Sequence, residues 1–304
     1  MTRSFASAVT VEDALAALEA GGRPVAGGTD LVVGARQGKA PLPEAIVAID
    51  RIAALEGIVE GDEGLRLGAL VTHDEIVSNE AIRERFTALA DGSAIVGSNA
   101  TRAQGTIGGN VMNASPAMDT GGPLLCFGAS ARLRSGSGGE REVPLDELWT
   151  GPGTTAADPH ELLVAVDVPA PFPATGSAYV RLEYRRQMEI AVVGVTAVVR
   201  LDGASVADAR VAITALAPTI RRVPDAEAAL TGSDGGDEAV AAAARATAAG
   251  SSPIDDVRGS AAYRAAMAEV IARRAISVAL ARASGEDVPI PASAATFAAR
   301  GASA

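Results

Sequence analysis

The chain has 304 residues, 48% of them apolar, which is enough material for two ordinary domains with buried cores. A formal charge of −11 excludes a nucleic-acid partner, because phosphates need a concentrated basic patch and the local basic cluster of interest is only Arg181 to Arg186. Apolar runs such as Ile190 to Val199 fall far short of a membrane span, the N-terminus lacks a signal-peptide pattern, and the single cysteine, Cys126, excludes an internal disulfide, so the expected setting is cytoplasmic.

Val11 to Ala20 reads as an amphipathic helix with Val11, Leu15 and Leu18 on one face. Thr10 is its natural N-cap, Asp13 occupies the third helical position, and Gly21-Gly22 stops it. Pro24-Val25-Ala26 follows as a short buried strand, then Gly27-Gly28, then Leu31 to Gly34 opening a second helix. Ala45 to Asp50, Gly57 to Glu60 and Leu65 to Ala69 have the pattern of short strands separated by glycine and acidic turns. Thr72 with Glu75 forms a capping-box pattern, and helical periodicity runs on to about Gly92.

A second glycine pair, Gly108-Gly109, lies beyond Ile95-Val96-Gly97 and leads through Val111 to Asp119 into the apolar stretch Pro123 to Leu133. Val164 to Val168 is a strand. The proline-rich Pro169 to Pro173 cannot continue it and marks the domain boundary. Beyond it, Ala178 to Leu201 and Val206 to Leu216 read as strands turning at Gly203, and Ala226 to Leu230, Asp237 to Ala249 and Tyr263 to Leu280 as helices. Strands followed by helices predict an α+β domain with helices on one sheet face, and the Ala/Ser/Gly stretch from about Pro291 predicts a loose tail.

The chemistry concentrates in Ala26 to Leu31 and Thr106 to Asn110. Each sets a glycine pair after an apolar stretch and follows it with hydroxyl, carboxylate or amide residues, as backbone N–H groups require when they crowd onto phosphate oxygens. Neither run is the Gly-x-Gly-x-x-Gly of a nicotinamide-binding domain or the Gly-Lys-Ser/Thr of an NTPase. His73, at a helix start, and His160, in a turn, have no second His or Cys at metal spacing, and neither Ser98 nor Ser115 has a base nearby. The chain therefore offers no metal site and no catalytic acid–base residue. Cys126 reads as a small buried apolar side chain.

With these residues in order, the chain resembles the FAD-binding medium subunit of the molybdenum hydroxylases, the carbon monoxide dehydrogenase and xanthine dehydrogenase type. The matching features are Pro24 to Leu31, Gly68-Ala69 with Thr72-His73, Thr106 to Asn110, Ala114-Ser115-Pro116 through Asp119, Glu161-Leu162-Leu163, and Arg185-Arg186 through Ala191. The resemblance implies an α+β fold: a two-subdomain FAD-binding domain of the vanillyl-alcohol-oxidase type over residues 1–172, divided near residue 55, then a smaller domain with an antiparallel sheet and helices over 173–285, and a tail over 286–304.

It also implies that Pro24, Val25, Ala26, Gly27, Gly28, Thr29, Asp30 and Leu31, with Thr106, Ile107, Gly108, Gly109 and Asn110, hold FAD, mainly at its pyrophosphate. Asp119 would meet the adenosine ribose, Leu163 would lend backbone contacts near the flavin, and Arg181 takes a place where relatives often have lysine. Ile190 sits where carbon monoxide dehydrogenase relatives can carry a tyrosine over the flavin. The implied partners are a molybdenum-cofactor large subunit, which oxidises substrate, and a small subunit relaying electrons through 2Fe-2S clusters, in a dimer of heterotrimers. One cysteine cannot support the further cluster of the benzoyl-CoA-reducing branch. A stand-alone FAD oxidoreductase of the same fold and a flavin-free scaffold subunit are the alternatives.

Overall fold

The computed structural model describes residues 3–38 and 40–298. The chain begins with β1 (Ser4–Ser7), α1 (Val11–Glu19), β2 (Arg23–Val25), α2 (Thr29–Arg36) and β3 (Ala45–Ala48). Thr10 caps α1 as its sequence predicts, its hydroxyl accepting from the Asp13 N–H at 3.1 Å. The three strands form a parallel sheet in the order β1-β3-β2. Strand β1 is exposed along its length and is held by pairing with β3, so its four residues carry no burial pattern from which sequence alone would find it. A separate core of Leu15, Leu18, Val47, Ile52 and Leu55 lies under this sheet and takes in Leu70 and Leu162 from further along the chain.

The second subdomain opens with β4 (Ile58–Gly61) and β5 (Gly64–Gly68), and runs through the helices α3 (His73–Ser78), α4 (Glu80–Arg85), α5 (Thr87–Ala94), α6 (Asn99–Arg102), α7 (Ile107–Asn113) and α8 (Gly121–Phe127). Thr72 and Glu75 complete the predicted capping box on α3. The segment continues with β6 (Ser130–Ser135), β7 (Glu140–Pro144), α9 (Leu145–Leu148), β8 (Trp149–Gly151), β9 (Thr154–Thr155) and β10 (Glu161–Pro169). Five strands build an antiparallel sheet in the order β4-β5-β10-β6-β7. The stretch Pro123 to Leu133 divides into α8 and β6 at Gly128, and Cys126 is fully buried in the core, where burial pushes its thiol well above the usual range.

After the proline-rich linker come β11 (Thr175–Leu182), β12 (Val193–Asp202), β13 (Ser205–Thr214) and β14 (Arg221–Arg222), an antiparallel sheet in chain order, then α10 (Pro224–Leu230), α11 (Asp237–Ala249), α12 (Ala261–Ala283) and α13 (Ala292–Ala298). The predicted continuous strand region 178–201 is thus broken by a loop over 183–192. The domain's helices α10, α11 and α12 cover one face of the sheet, as the sequence predicts, and the other face packs on the N-terminal part of the chain. Val193, Val195, Ala197 and Val199 of β12 join the core beneath α10, α11 and α12, while Val198, with Tyr179 and Ala212, joins the core of the N-terminal domain. That two-sided burial explains why β12 reads as an almost unbroken apolar run.

The expected loose tail is corrected over its first part. Ala292 and Ser293 are buried, the Ala292 N–H donates to Asp91 Oδ1 at 2.8 Å, and Ser293 Oγ accepts from the Arg181 N–H at 2.9 Å. Asp91 also pairs with Arg282 at 2.7 Å, so one buried carboxylate joins α5, α12 and α13. A small-residue tail can be anchored in this way because alanine and serine fit against a packed surface with little side-chain entropy to lose. The remainder of the predicted tail, residues 299–304, lies outside the described residues.

Candidate functional site

The two glycine runs meet across a cleft of about 740 Å³ between the parallel-sheet subdomain and the α6–α7 segment. Its wall includes Pro24 to Leu31 on one side, Thr101, Gly105, Thr106, Gly109, Asn110 and Asn113 on the other, and Gly153, Thr155, Asp158 and Glu161 at the end. The runs touch directly. A Cβ on Gly27 would sit 1.7 Å from the carbonyl oxygen of Gln104, so the chains can approach this closely only with glycine at that position.

The first run ends β2 and starts α2. Gly28, with φ of +66°, turns the chain from strand to helix in the left-handed region that other side chains resist. The first bond of α2 runs from the Val32 N–H to the Gly28 carbonyl at 3.0 Å. Among the described residues, the N–H groups of Thr29, Asp30 and Leu31 therefore have no partner and stand free at the positive end of an eight-residue helix. Burial raises the Asp30 carboxyl at the same helix start.

The second run is built differently. Thr106 caps α7, accepting from the Gly109 N–H at 3.1 Å; Ile107 donates to the Val71 carbonyl at 2.8 Å and Gly108 to the Ala69 carbonyl at 3.0 Å. A Cβ on Gly108 would lie 2.5 Å from the Ala69 oxygen, which binds this run to β5 and the core. Three N–H groups expected to face phosphate are thus committed within the protein, and Ile107 and Gly108 lie behind the cleft wall rather than in it. What this run offers is the exposed Gly109 backbone and the Asn110 amide. Asn110 Oδ1 accepts from the Thr120 hydroxyl at 2.6 Å, leaving its Nδ2 to donate into the cleft.

The other expected site residues do not line the cleft. Both oxygens of Asp119 are occupied inside the protein, Oδ1 by the Tyr179 hydroxyl at 2.8 Å and Oδ2 by Arg181 Nη1 at 2.6 Å. Arg181 is completely buried and donates also to Glu183 at 2.7 Å. Burial alone would lower the Arg181 guanidinium, but Asp119, Tyr179 and Glu183 outweigh it and hold it above its usual value. Asp119 and Arg181 serve each other here because a buried guanidinium without a carboxylate is far costlier than the pair. Leu163 is buried in β10, paired with Leu133 of β6. Ile190 is half exposed in the 183–192 loop.

Among the cleft residues that were not expected, one carries a titratable ring. His73, the first helical residue of α3, is 1% exposed, donates its backbone N–H to the Gly105 carbonyl at 3.1 Å and turns its ring to the cleft wall. Its marks in sequence are its place after Thr72 in the capping box and the Thr72-His73 pair of the family resemblance, which assigned it no contact. Burial and the Arg102 guanidinium push its imidazole down to about 4, so it is neutral at physiological pH. His160 Nδ1 lies 3.2 Å from the Leu18 carbonyl, and Ser98 and Ser115 hydroxyls accept local backbone N–H groups. Among the described residues no group of three or more His, Cys, Asp or Glu side chains could hold a metal ion, and no helix is long and apolar enough to cross a membrane.

Residues 2–171 match the family described as FAD binding domain in molybdopterin dehydrogenase, and residues 178–279 match the CO dehydrogenase flavoprotein C-terminal domain. The carbon monoxide dehydrogenase medium chain of Hydrogenophaga pseudoflava is 34% identical over 241 residues, covering 79% of this chain and 83% of that protein. The corresponding chain of Afipia carboxidovorans is 32% identical over 285 residues, covering 92% and 96%. The fold agrees with a solved structure of the Hydrogenophaga pseudoflava carbon monoxide dehydrogenase lacking the Mo-pyranopterin moiety. The TM-score is 0.88 at 32% identity, over 93% of this chain and 98% of that one.

Proposed function

The chain belongs to the family of FAD-binding medium subunits of the molybdenum hydroxylases, and on that premise we propose that it passes electrons, through FAD, from 2Fe-2S clusters of a partner subunit to a final acceptor. The observation that carries this reading is the row of free N–H groups at the start of α2, set in a cleft of about 740 Å³ closed on its far side by Gly109 and Asn110. Such a row relieves the charge of a pyrophosphate without a lysine, which suits a chain of net charge −11.

FAD, when bound, supplies the redox chemistry. The residues that would hold it are Gly27 to Leu31, with Gly109 and Asn110 opposite and Thr106 capping the helix that presents them. Gly27 lets the two walls close, Gly28 aims the helix start, and the Asn110 amide donates from the second wall. Relatives named as a dehydrogenase complex subunit and a hydroxylase medium subunit support partner subunits, which the proposal takes to be a molybdenum-cofactor large subunit and an iron–sulfur small subunit. A dimer of such heterotrimers in the cytoplasm completes the proposal.

The test is to isolate the chain with its partners and follow iron–sulfur and flavin signals together on reduction. Stoichiometric FAD that is reduced after the clusters, and whose reduction is lost when this subunit is replaced by its Gly27→Val variant, is the expected result. A complex whose clusters deliver electrons to an acceptor equally well without flavin on this subunit would overturn it.

A further inference from the structure

His73 has no assigned part in the reading above, and its surroundings are unusual. The ring is sealed except where it meets the cleft, and Nδ1 is buried with no hydrogen-bond partner among the described residues. An enclosed nitrogen tolerates an idle lone pair better than an idle N–H, so the proton of the imidazole belongs on Nε2. The adjoining ring carbon, Cδ2, and Thr29 Oγ1 both approach Gly105, lying 3.4 and 3.5 Å from the position a Cβ would take there. The Cδ2 side of the ring and the first residue of α2, whose own N–H is free, thus border the same glycine on the cleft wall.

We propose that His73 is a phosphate-binding residue, donating from Nε2 to an oxygen of the pyrophosphate held at the start of α2. It completes from α3 a donor set that α2 begins and Asn110 closes, drawing on three elements that sequence leaves far apart. The position explains why a polar ring is kept in a place where an apolar side chain of equal size would leave no orphan nitrogen: a donor fixed by burial loses no rotamer freedom on binding. The proposal rests on the FAD reading above.

The experiment measures binding of FAD and of ADP, which carries the same diphosphate, to the flavin-free full-length chain, with the imidazole nitrogens followed by NMR. His73→Phe keeps the volume and removes the donor, and His73→Gln keeps a donor. With a bond to an anionic oxygen lost, His73→Phe is expected to weaken both ligands by about tenfold or more, while His73→Gln stays within about threefold and both variants melt as the wild type does. If His73→Phe does not fold, the wild-type protein decides alone, by a shift of the Nε2 resonance on adding ADP. Unchanged affinities with an unmoved Nε2 signal overturn the proposal, as does weakening of FAD without weakening of ADP. Failure of the wild-type chain to take up FAD defeats the FAD reading, and this inference with it.

Discussion

The two glycine runs look alike in sequence and are used in opposite ways. Gly27-Gly28 ends a strand, and the helix it opens leaves three N–H groups without partners; Gly108-Gly109 lies within the first turn of a helix whose N–H groups are taken by Thr106, Val71 and Ala69. The first run is a donor surface and the second a structural joint with one exposed edge. A glycine pair therefore announces a place where backbone comes close to something, and only the neighbours decide whether that something is a ligand or another strand.

Four experiments press on that difference. Gly108→Val drives a side chain into the Ala69 carbonyl and should cost more than about 3 kcal/mol of stability, read as a lowered urea midpoint, with cofactor lost as a consequence of unfolding. If the variant unfolds like the wild type and only loses FAD, the second run is not a joint.

The pH dependence of stability probes His73, which lies between the runs. Its folded pKa, about 4, is below the ordinary value of 6.5, so the unfolded chain binds a proton that the folded one refuses. Stability attributable to this group is complete above about pH 6.5 and falls as pH drops towards 4, on the order of 3 kcal/mol in all. Denaturation midpoints collected across that window should show the slope in the wild type and lose most of it in His73→Phe.

Gly27→Ala places a methyl group against the Gln104 carbonyl and forces the walls apart. About 2 kcal/mol of stability should go, and FAD affinity should fall by more than tenfold in protein that is still folded, a split separating this run from the other. Thr106→Ala removes the cap on α7 and frees the Gly109 N–H, for about 1 kcal/mol of stability with FAD binding nearly kept, since that N–H is committed to the cap in the folded chain. Equal losses of affinity in these last two variants would erase the distinction between the runs.

The sequence by itself determined the parts of this protein set by neighbours a few residues away. Thr10 and Thr72 cap their helices three residues on, the glycine pair at 27–28 ends its strand, the prolines from Pro169 end β10, and the glycine runs with their hydroxyl and amide companions mark the cleft and the family. These signals are local steric and hydrogen-bonding requirements, so they survive without knowledge of the fold.

Tertiary structure alone decided the rest. The four residues of β1 become a strand only because Ala45–Ala48 offers them an edge. Asp119 turns inward because Arg181, 62 residues later, is buried beside it, and Ser293 is held because the Arg181 backbone needs an acceptor. His73 reaches the cleft because its neighbours there, Thr29 and Gly105, arrive from other parts of the chain. In each case the deciding partner is distant in sequence, and a buried polar group takes whichever partner the folded chain brings to it, since leaving it unpaired costs more than any local preference returns.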